Sequence, residues 1–431
     1  MLSAAVRDLH LNFPGEFITD VRTSCPELWE NNPNLTSLLE SAPGVELLEC
    51  HYPLINYANQ TPYHSLNGFI EFLNNQLNIR IRPTEFHGDI HLSELEKSWF
   101  SQVHELTGAD IPFWIIVAGG KRDITIKWWS SERFQEVVDH FRGRIQFVQV
   151  GETHHHHPLL DGVIDLRGKT DLRQLVRLVH HSQGVLCGVT AIMHLAAAVE
   201  RKDTGAHDRP CVVVAGGREP PHWEAYPSHQ FLHTVGMLPC SGGGCWRDRT
   251  QPLGDGDERD RPEHICLNVI GELPRCMDMI TATDVIRSVE RYFTGGAASY
   301  LTPAQATLAA KAVTNLREKV DRGSLPKNRT LSKPLESQLT ANNSPLDRVE
   351  DRSELILVTL NDATMAPVAE ITSARKRKYA VRHGYGFVHY EQLLDSTRHP
   401  AWNKLLAVRE VLLTGRSNWV MWMDADALPM N

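Results

Sequence analysis

The sequence has no surplus of basic residues: 44 Lys and Arg stand against 52 Asp and Glu in 431 positions, a formal charge of −8. That balance argues against a general binder of nucleic acid or of an anionic membrane surface. Long apolar runs are missing as well. The longest uncharged apolar stretch, 184–199, contains a histidine and several small residues, and it is shorter than the ~18–20 residues needed to cross a bilayer. No basic segment followed by an apolar one opens the chain, so no secretory signal is visible and a cytoplasmic location is expected. Cysteine is sparse, eight in all, too few for a disulfide scaffold. No G-x-G-x-x-G follows a strand-like segment, which disfavours an NAD-dependent oxidoreductase. What is present is ordinary globular composition, 42% hydrophobic and 22% charged, with room for about three domains at ~150 residues each.

The organisation changes along the chain. The first 108 residues mix apolar segments with turn residues; 1–10 and 66–77 read as helices and 45–50 as a short strand. An α/β domain ordinarily opens on a strand, and none precedes the helix at the start. From Ile111 the pattern is cleaner. Compact apolar strands at 113–117, 144–150, 184–188 and 211–215 alternate with helices beginning near Ser130, Asp171, Thr190 and Thr281, of which Ser130, Asp171 and Thr281 supply a capping side chain. Such alternation predicts a parallel sheet with helices on its faces. Residues 301–320 read as a helix and 321–350 as a linker, so 295–352 is taken as a connecting segment. Order resumes with strands at 354–360, 387–390 and 418–423 and helices at 366–383 and 402–414.

Chemistry concentrates at the ends of strands. Gly119-Gly120-Lys121 follows the first strand of the α/β unit, with Lys127 shortly after, and Gly216-Gly217-Arg218 follows a later one. Glycine lets backbone N–H groups approach an anion, and ligands of open parallel sheets sit at these strand ends. Thr190 opens a helix at the same edge, and His194 lies one turn into it. Together these point to a phosphate-bearing ligand. The run His154–His157 reads as a polar loop, because consecutive residues rarely converge on one ion. Cys240, Cys245, Cys266 and Cys276 fall within 37 positions, with Gly242-Gly243-Gly244 providing a tight turn between the first two. Four thiolates suit tetrahedral Zn or Fe in a structural role; paired or free thiols are the alternative. Asp424 and Asp426 end the last apolar strand, and in extended backbone they point the same way. That arrangement suits Mg or Mn bridging to a diphosphate, with a solvated turn as the alternative.

These residues carry two resemblances. Val117-Ala118-Gly119-Gly120-Lys121, Gly168-Lys169-Thr170-Asp171-Leu172 and Met193-His194-Leu195-Ala196 resemble the family 9 glycosyltransferases, the ADP-heptose heptosyltransferases, over residues 1–293. The four cysteines resemble the iron finger of the autotransporter heptosyltransferases. The resemblance implies a GT-B fold with two Rossmann-type lobes: an acceptor-side lobe at 1–108 and a nucleotide-sugar lobe at 109–294. It implies donor binding by Gly119, Gly120, Lys121, Lys127, Thr190, Met193, His194, Gly216 and Gly217. Val189 stands where the family has Asp, and the strand and Gly-Asp loop bearing the family's catalytic Asp are expected ahead of residue 1. Asp8 and Asp20 are the nearest early carboxylates. No catalytic residue is assigned.

Residues 355–431 resemble the start of the family 34 galactosyl- and mannosyltransferases of GT-A fold, through Lys378-Tyr379-Ala380, His383-Gly384-Tyr385, Trp402-Asn403-Lys404 and Trp422-Met423-Asp424-Ala425-Asp426. The resemblance implies Mn at Asp424 and Asp426, and a GT-A-like domain at 353–431 that is expected to be partial. The expectation is therefore an α/β glycosyltransferase that moves a heptose-like sugar from an ADP-heptose-like donor to a hydroxyl of lipopolysaccharide or protein. A catalytically impaired sugar-nucleotide-binding or assembly module is the alternative, and self-association of identical chains stays open.

Overall fold

The computed structural model describes residues 1–50, 63–321, 355–361, 366–395, 400–413 and 419–423. The chain divides into two compact units, Met1–Ser332 and Lys333–Asn431. In the first unit, strands β1 (Phe113–Ile116), β2 (Gln146–Gln149), β3 (Ile164–Asp165), β4 (Gly184–Gly188), β5 (Cys211–Gly216) and β6 (His229–His233) form one sheet of order β3-β2-β1-β4-β5-β6. Every pairing in it is parallel. This is the doubly wound order, and the chain reverses direction between β1 and β4, where such sheets hold their ligands.

The strands read as unbroken apolar runs because both faces are covered. One face carries Phe113, Ile115, Val185, Cys187, Cys211 and Val213, and the other Trp114, Ile116, Leu186, Val212 and Val214. Helix α5 (Ser131–His140) covers the second face with Phe134, Val137 and Val138, joined by α10 (Ala282–Thr294) through Val285 and Val289. Ser130 caps α5 by accepting from the Arg133 amide, and Thr281 with Asp284 forms a capping box on α10. β4 opens on glycine for a packing reason: a Cβ at Gly184 would lie 2.4 Å from the Trp114 indole. On the first face lie α6 (Leu172–His181) and α7 (Ala191–Ala198).

The first 108 residues join that same face. Helices α1 (Leu2–Asn12), α2 (Ser65–Leu77), α3 (Glu94–Lys97) and α4 (Gln102–Thr107) contribute Ala4, Leu66 and Val103 to the core, with Leu92 between α2 and α3. Arg173 of α6 pairs with Glu96 at 2.5 Å, and its guanidinium also donates to the His91 carbonyl. Among the described residues before Phe113 no strand forms. Residues 45–50, expected as a strand, have no ladder partner there; Leu48 and Cys50 instead pack beside Phe69 and Leu73. Helix α11 (Pro303–Asp321) returns to this unit and buries Ala309 and Ala312.

In the second unit β9 (Leu355–Leu360) lies between β10 (Gly386–Tyr390) and β11 (Trp419–Trp422), all parallel. Helices α12 (Ala366–His383) and α13 (Pro400–Leu413) provide the connections. Ile356, Val358, Leu360, Ala407 and Val411 form its core. The Lys376 ammonium is buried there and donates to the Thr359 hydroxyl at 3.2 Å. The linker at 322–350 and the pair Asp424 and Asp426 lie outside the described residues.

Helices α6 and α7 end on one buried cation. Arg209, with no exposed surface, donates to the carbonyls of Ser182 (3.1 Å), Ala196 (3.0 Å), Val199 (2.8 Å), His180 (3.4 Å) and Glu200 (3.2 Å). Burial pulls its pKa down to about 9, so it stays charged at neutral pH. Arg209→Met is expected to lower unfolding free energy in urea by about 3 kcal/mol or more, since several buried carbonyls lose their donor. Arg209→Lys should recover only part of this, because a point charge cannot span carbonyls of two helix ends.

Candidate functional site

Three neighbouring strand tips meet at the reversal point. β1 leads into Gly119-Gly120, β4 into Val189-Thr190 and β5 into Gly216-Gly217. The first glycine turn is fixed by its neighbours. Gly119 has φ of +101°, and a Cβ there would fall 1.9 Å from the His156 carbonyl oxygen. The Gly120 amide donates to that same oxygen at 2.9 Å, and the His156 amide donates back to the Gly120 carbonyl at 3.0 Å. The histidine loop is thus bridged onto the turn, with the His156 ring stacked on Trp128 (centroids 4.3 Å apart, 20° between planes). Gly216 and Gly217 face Met277, Cys276 and Ser241, where a Cβ would meet atoms at 2.6–3.0 Å. Both glycine pairs therefore permit close backbone packing, and the Gly120 amide is already engaged.

The cation best placed in the cleft is Lys127. Its ammonium sits 2.7 Å from a Glu219 carboxylate oxygen and donates to the Val189 carbonyl at 3.5 Å. Lys121 is exposed. Glu219 also pairs with Arg218, which continues to Asp248 at 3.0 Å, and Asp248 meets the His264 ring at 2.8 Å. A line of alternating charge thus runs from the strand tips to the cysteine-bearing segment. Glu219 (2% exposed) and Glu224 (4%) are buried, each with one carboxylate oxygen lacking a hydrogen-bond partner. Burial, and then the neighbouring Glu219 charge, push the Glu224 carboxyl up to about 8.

At the β4 tip Thr190 is the N-cap of α7, but its hydroxyl makes no capping bond and has no hydrogen-bond partner. The amides of Ala191 and Ile192 open α7 beside this hydroxyl, next to Val189, whose carbonyl accepts from Lys127. His194 hydrogen-bonds the Tyr226 hydroxyl at 2.9 Å, and burial holds its pKa well below the usual range, so it is neutral. Met193 is fully buried among the core residues. Neither early carboxylate is available. Asp8 is buried against Arg7 (3.0 Å) and the Thr84 hydroxyl (2.6 Å), while Asp20 accepts from the Val21 and Leu38 amides and pairs with Arg22.

The cysteines gather around the β5 turn. The Cys245 amide donates to the Gly217 carbonyl at 3.1 Å, and Cys240, Cys245, Cys266 and Cys276 are near enough for their charges to interact. All four are free thiols. Among the described residues, however, no three or more His, Cys, Asp or Glu side chains are grouped so as to hold a metal ion. The donor chemistry suits a four-sulfur site, and the observed grouping does not close one.

A family model described as glycosyltransferase family 9 (heptosyltransferase) matches residues 73–206. Another, the galactosyl transferase GMA12/MNN10 family, matches 351–431. No curated protein matches the chain. Solved structures similar to it include a family 9 glycosyl transferase from Veillonella parvula, at 17% identity and TM-score 0.37, covering 55% of this chain and 61% of that one. ADP-heptose lps heptosyltransferase II of E. coli aligns at 16% and 0.36, over 55% and 63%. The bacterial iron-containing dodecameric glycosyltransferase TibC from enterotoxigenic E. coli aligns at 16% and 0.36, over 54% and 55%. The chain thus spans under two thirds of the length of each of these structures. As a class, both matched segments are similar to glycosyltransferases. The particular likenesses are to family 9 over 73–206 and to family 34 over 351–431.

Glu219, Glu224 and Tyr226 are the site residues that sequence reasoning did not single out, while His156 entered it only as part of a polar loop. No periodicity marks them; their only signal was acidic residues just past the end of a parallel strand. Two outcomes are expected. Gly119→Ala should destabilise the chain, because neither the positive φ nor the His156 carbonyl accommodates a methyl group, and thermal melts would show it. Glu224 binds its proton more tightly folded than unfolded, so its contribution to stability falls as pH rises from the ordinary carboxyl range through about 8. Glu224→Gln should therefore flatten the decline of Tm between pH 6 and pH 8; an unchanged slope would show the carboxyl is not burdened by charging.

Proposed function

We propose that the chain is a glycosyltransferase that binds a nucleotide-diphosphate sugar at the reversal point of its six-stranded sheet. The observation that carries the reading is the meeting, at that point, of the Lys127 ammonium with the uncapped start of α7 and the unpartnered Thr190 hydroxyl. An acceptor hydroxyl attacks the anomeric carbon while the bond to the diphosphate breaks, and the hydroxyl proton passes to solvent. The bonding pair leaves with the diphosphate, and the charge that develops there is stabilised by Lys127 and the α7 amides. Gly119, Gly120, Lys121, His194, Gly216 and Gly217 shape or border this site, while Met193 packs behind it in the core. Neutral His194, held by Tyr226, suits a hydrogen-bonding rather than a charge-pairing role.

The donor is proposed to be ADP-heptose-like and the acceptor a hydroxyl on lipopolysaccharide or protein, in keeping with the family 9 match. Cys240, Cys245, Cys266 and Cys276 are proposed as ligands of a structural Fe or Zn, supported by four free thiols around one turn. Asp424 and Asp426 are proposed to bind Mn, supported by the family 34 match. A second reading, a sugar-nucleotide-binding module without transfer, is favoured by the engagement of both Asp8 and Asp20 and by Val189.

Adding ADP is expected to raise Tm, since a ligand that binds only the folded state stabilises it. Lys127→Ala should weaken ADP about ten-fold or more, the loss typical of a charge-assisted hydrogen bond. Lys121→Ala should weaken it less. No shift with ADP or any other nucleoside diphosphate would remove the reading, and binding without single-turnover sugar transfer would favour the second. For the cysteines, elemental analysis of purified protein should find Fe or Zn near one per chain, lost in Cys266→Ser.

A further inference from the structure

A cavity of about 530 Å³ lies between the start of α5 and the cysteine-bearing segment, with Gly119 at its wall. Its volume is within the range of small-molecule sites. The stacked Trp128 and His156 rings line it on one side, with Ser131 and Glu132; Gln251 and Glu272 line it on the other. The walls are held independently of any ligand. The Trp128 indole donates to the Lys121 carbonyl at 3.2 Å, and the Thr250 amide donates to the Thr125 hydroxyl at 3.0 Å. The Ile126 amide donates to the Asp248 carbonyl at 3.1 Å, so the opposite wall is tied to the segment that carries Lys127.

The charge of the lining decides what would enter. It includes two carboxylates, Glu132 and Glu272, and neither lysine nor arginine. The Ser130 hydroxyl, which hydrogen-bonds Glu132, keeps that carboxyl below its ordinary value and therefore ionised. A diphosphate would be repelled. A neutral polyhydroxylated ring fits: its weakly positive C–H face packs on the negative face of an aromatic ring. Its hydroxyls donate to carboxylates and exchange hydrogen bonds with the Gln251 amide and Ser131 hydroxyl. We propose that this cavity is a subsite for a neutral saccharide, placed beside the donor cleft through Gly119 so that its occupant is part of the acceptor. The acceptor role rests on the transferase reading above; the saccharide site does not.

The test is a titration of the full chain with methyl α-D-mannopyranoside and with maltose, neither of them activated, followed by tryptophan emission and saturation-transfer NMR. It is repeated in the presence of inorganic pyrophosphate. Saturable binding is expected, weakened ten-fold or more in Trp128→Ala and unaffected by pyrophosphate. Gln251→Leu, a change at an exposed position of the opposite wall, should weaken it as well, and it serves alone if Trp128→Ala fails to fold by circular dichroism. Failure of both saccharides to bind, undiminished binding in these variants, or displacement by pyrophosphate would overturn the subsite. ADP binding without saccharide binding overturns the subsite and leaves the transferase reading standing. Saccharide binding without any nucleotide binding supports the cavity and removes the transferase.

Discussion

A fully buried guanidinium at the joint of two helices governs the geometry of the first unit. Arg209 lies just before β5, and the carbonyls it serves lie at the ends of α6 and α7. Helix C-termini carry partial negative charge and unpaired acceptors, so one planar donor facing two of them offsets the cost of burying its own charge. Because α7 is anchored at its far end in this way, its N-terminus is held beside the tip of β4, where the Val189 carbonyl accepts from Lys127 and the Thr190 hydroxyl has no partner. The placement of Thr190 thus depends on a contact at the opposite end of an eight-residue helix.

Charge is distributed along the cleft in a connected way. Lys127 is shared with Glu219, Glu219 with Arg218, Arg218 with Asp248, and Asp248 with His264. In a buried setting such a chain restrains every member, because removing one leaves its neighbour without a counter-charge. The cysteine-bearing segment enters the same chain through Asp248 and the Asp248–Ile126 backbone bond. The segment is therefore positioned to support the loop that carries Ile126 and Lys127 mechanically.

The glycine pairs show where reading of the sequence and folded geometry part. Gly119-Gly120 and Gly216-Gly217 stand at strand tips beside cations, which in one dimension points to an anion cradle. In three dimensions Gly119 makes room for the His156 carbonyl, and Gly216 and Gly217 make room for Met277, Cys276 and Ser241. Lys127, six positions beyond the cation that the sequence brings to the turn, reaches the cleft because a 3-10 segment, Arg122–Lys127, carries the chain back over the strand tip. The short elements between strands, β3 and the pair β7 (Val269–Ile270) and β8 (Leu273–Pro274), were not legible for a related reason. Each is two residues long, too short to show a period, and exists only because a neighbour supplies its ladder.

By itself the sequence determined the alternation of strand and helix from Phe113 onward. Apolar runs bounded by capping residues such as Ser130, Asp171 and Thr281 are local signals, and local energies suffice to place them. It also placed Thr190 and His194 at one helix start and gathered four cysteines in a short span. Only the tertiary structure decided which charges face each other. Glu219 and Glu224 became a buried acid pair, Asp8 was consumed by Arg7 and Thr84, and Trp128 met His156 across a bridge from a loop nearly thirty residues away. Such pairings depend on desolvation and on distances through space, and neither is written in the spacing of residues along a chain.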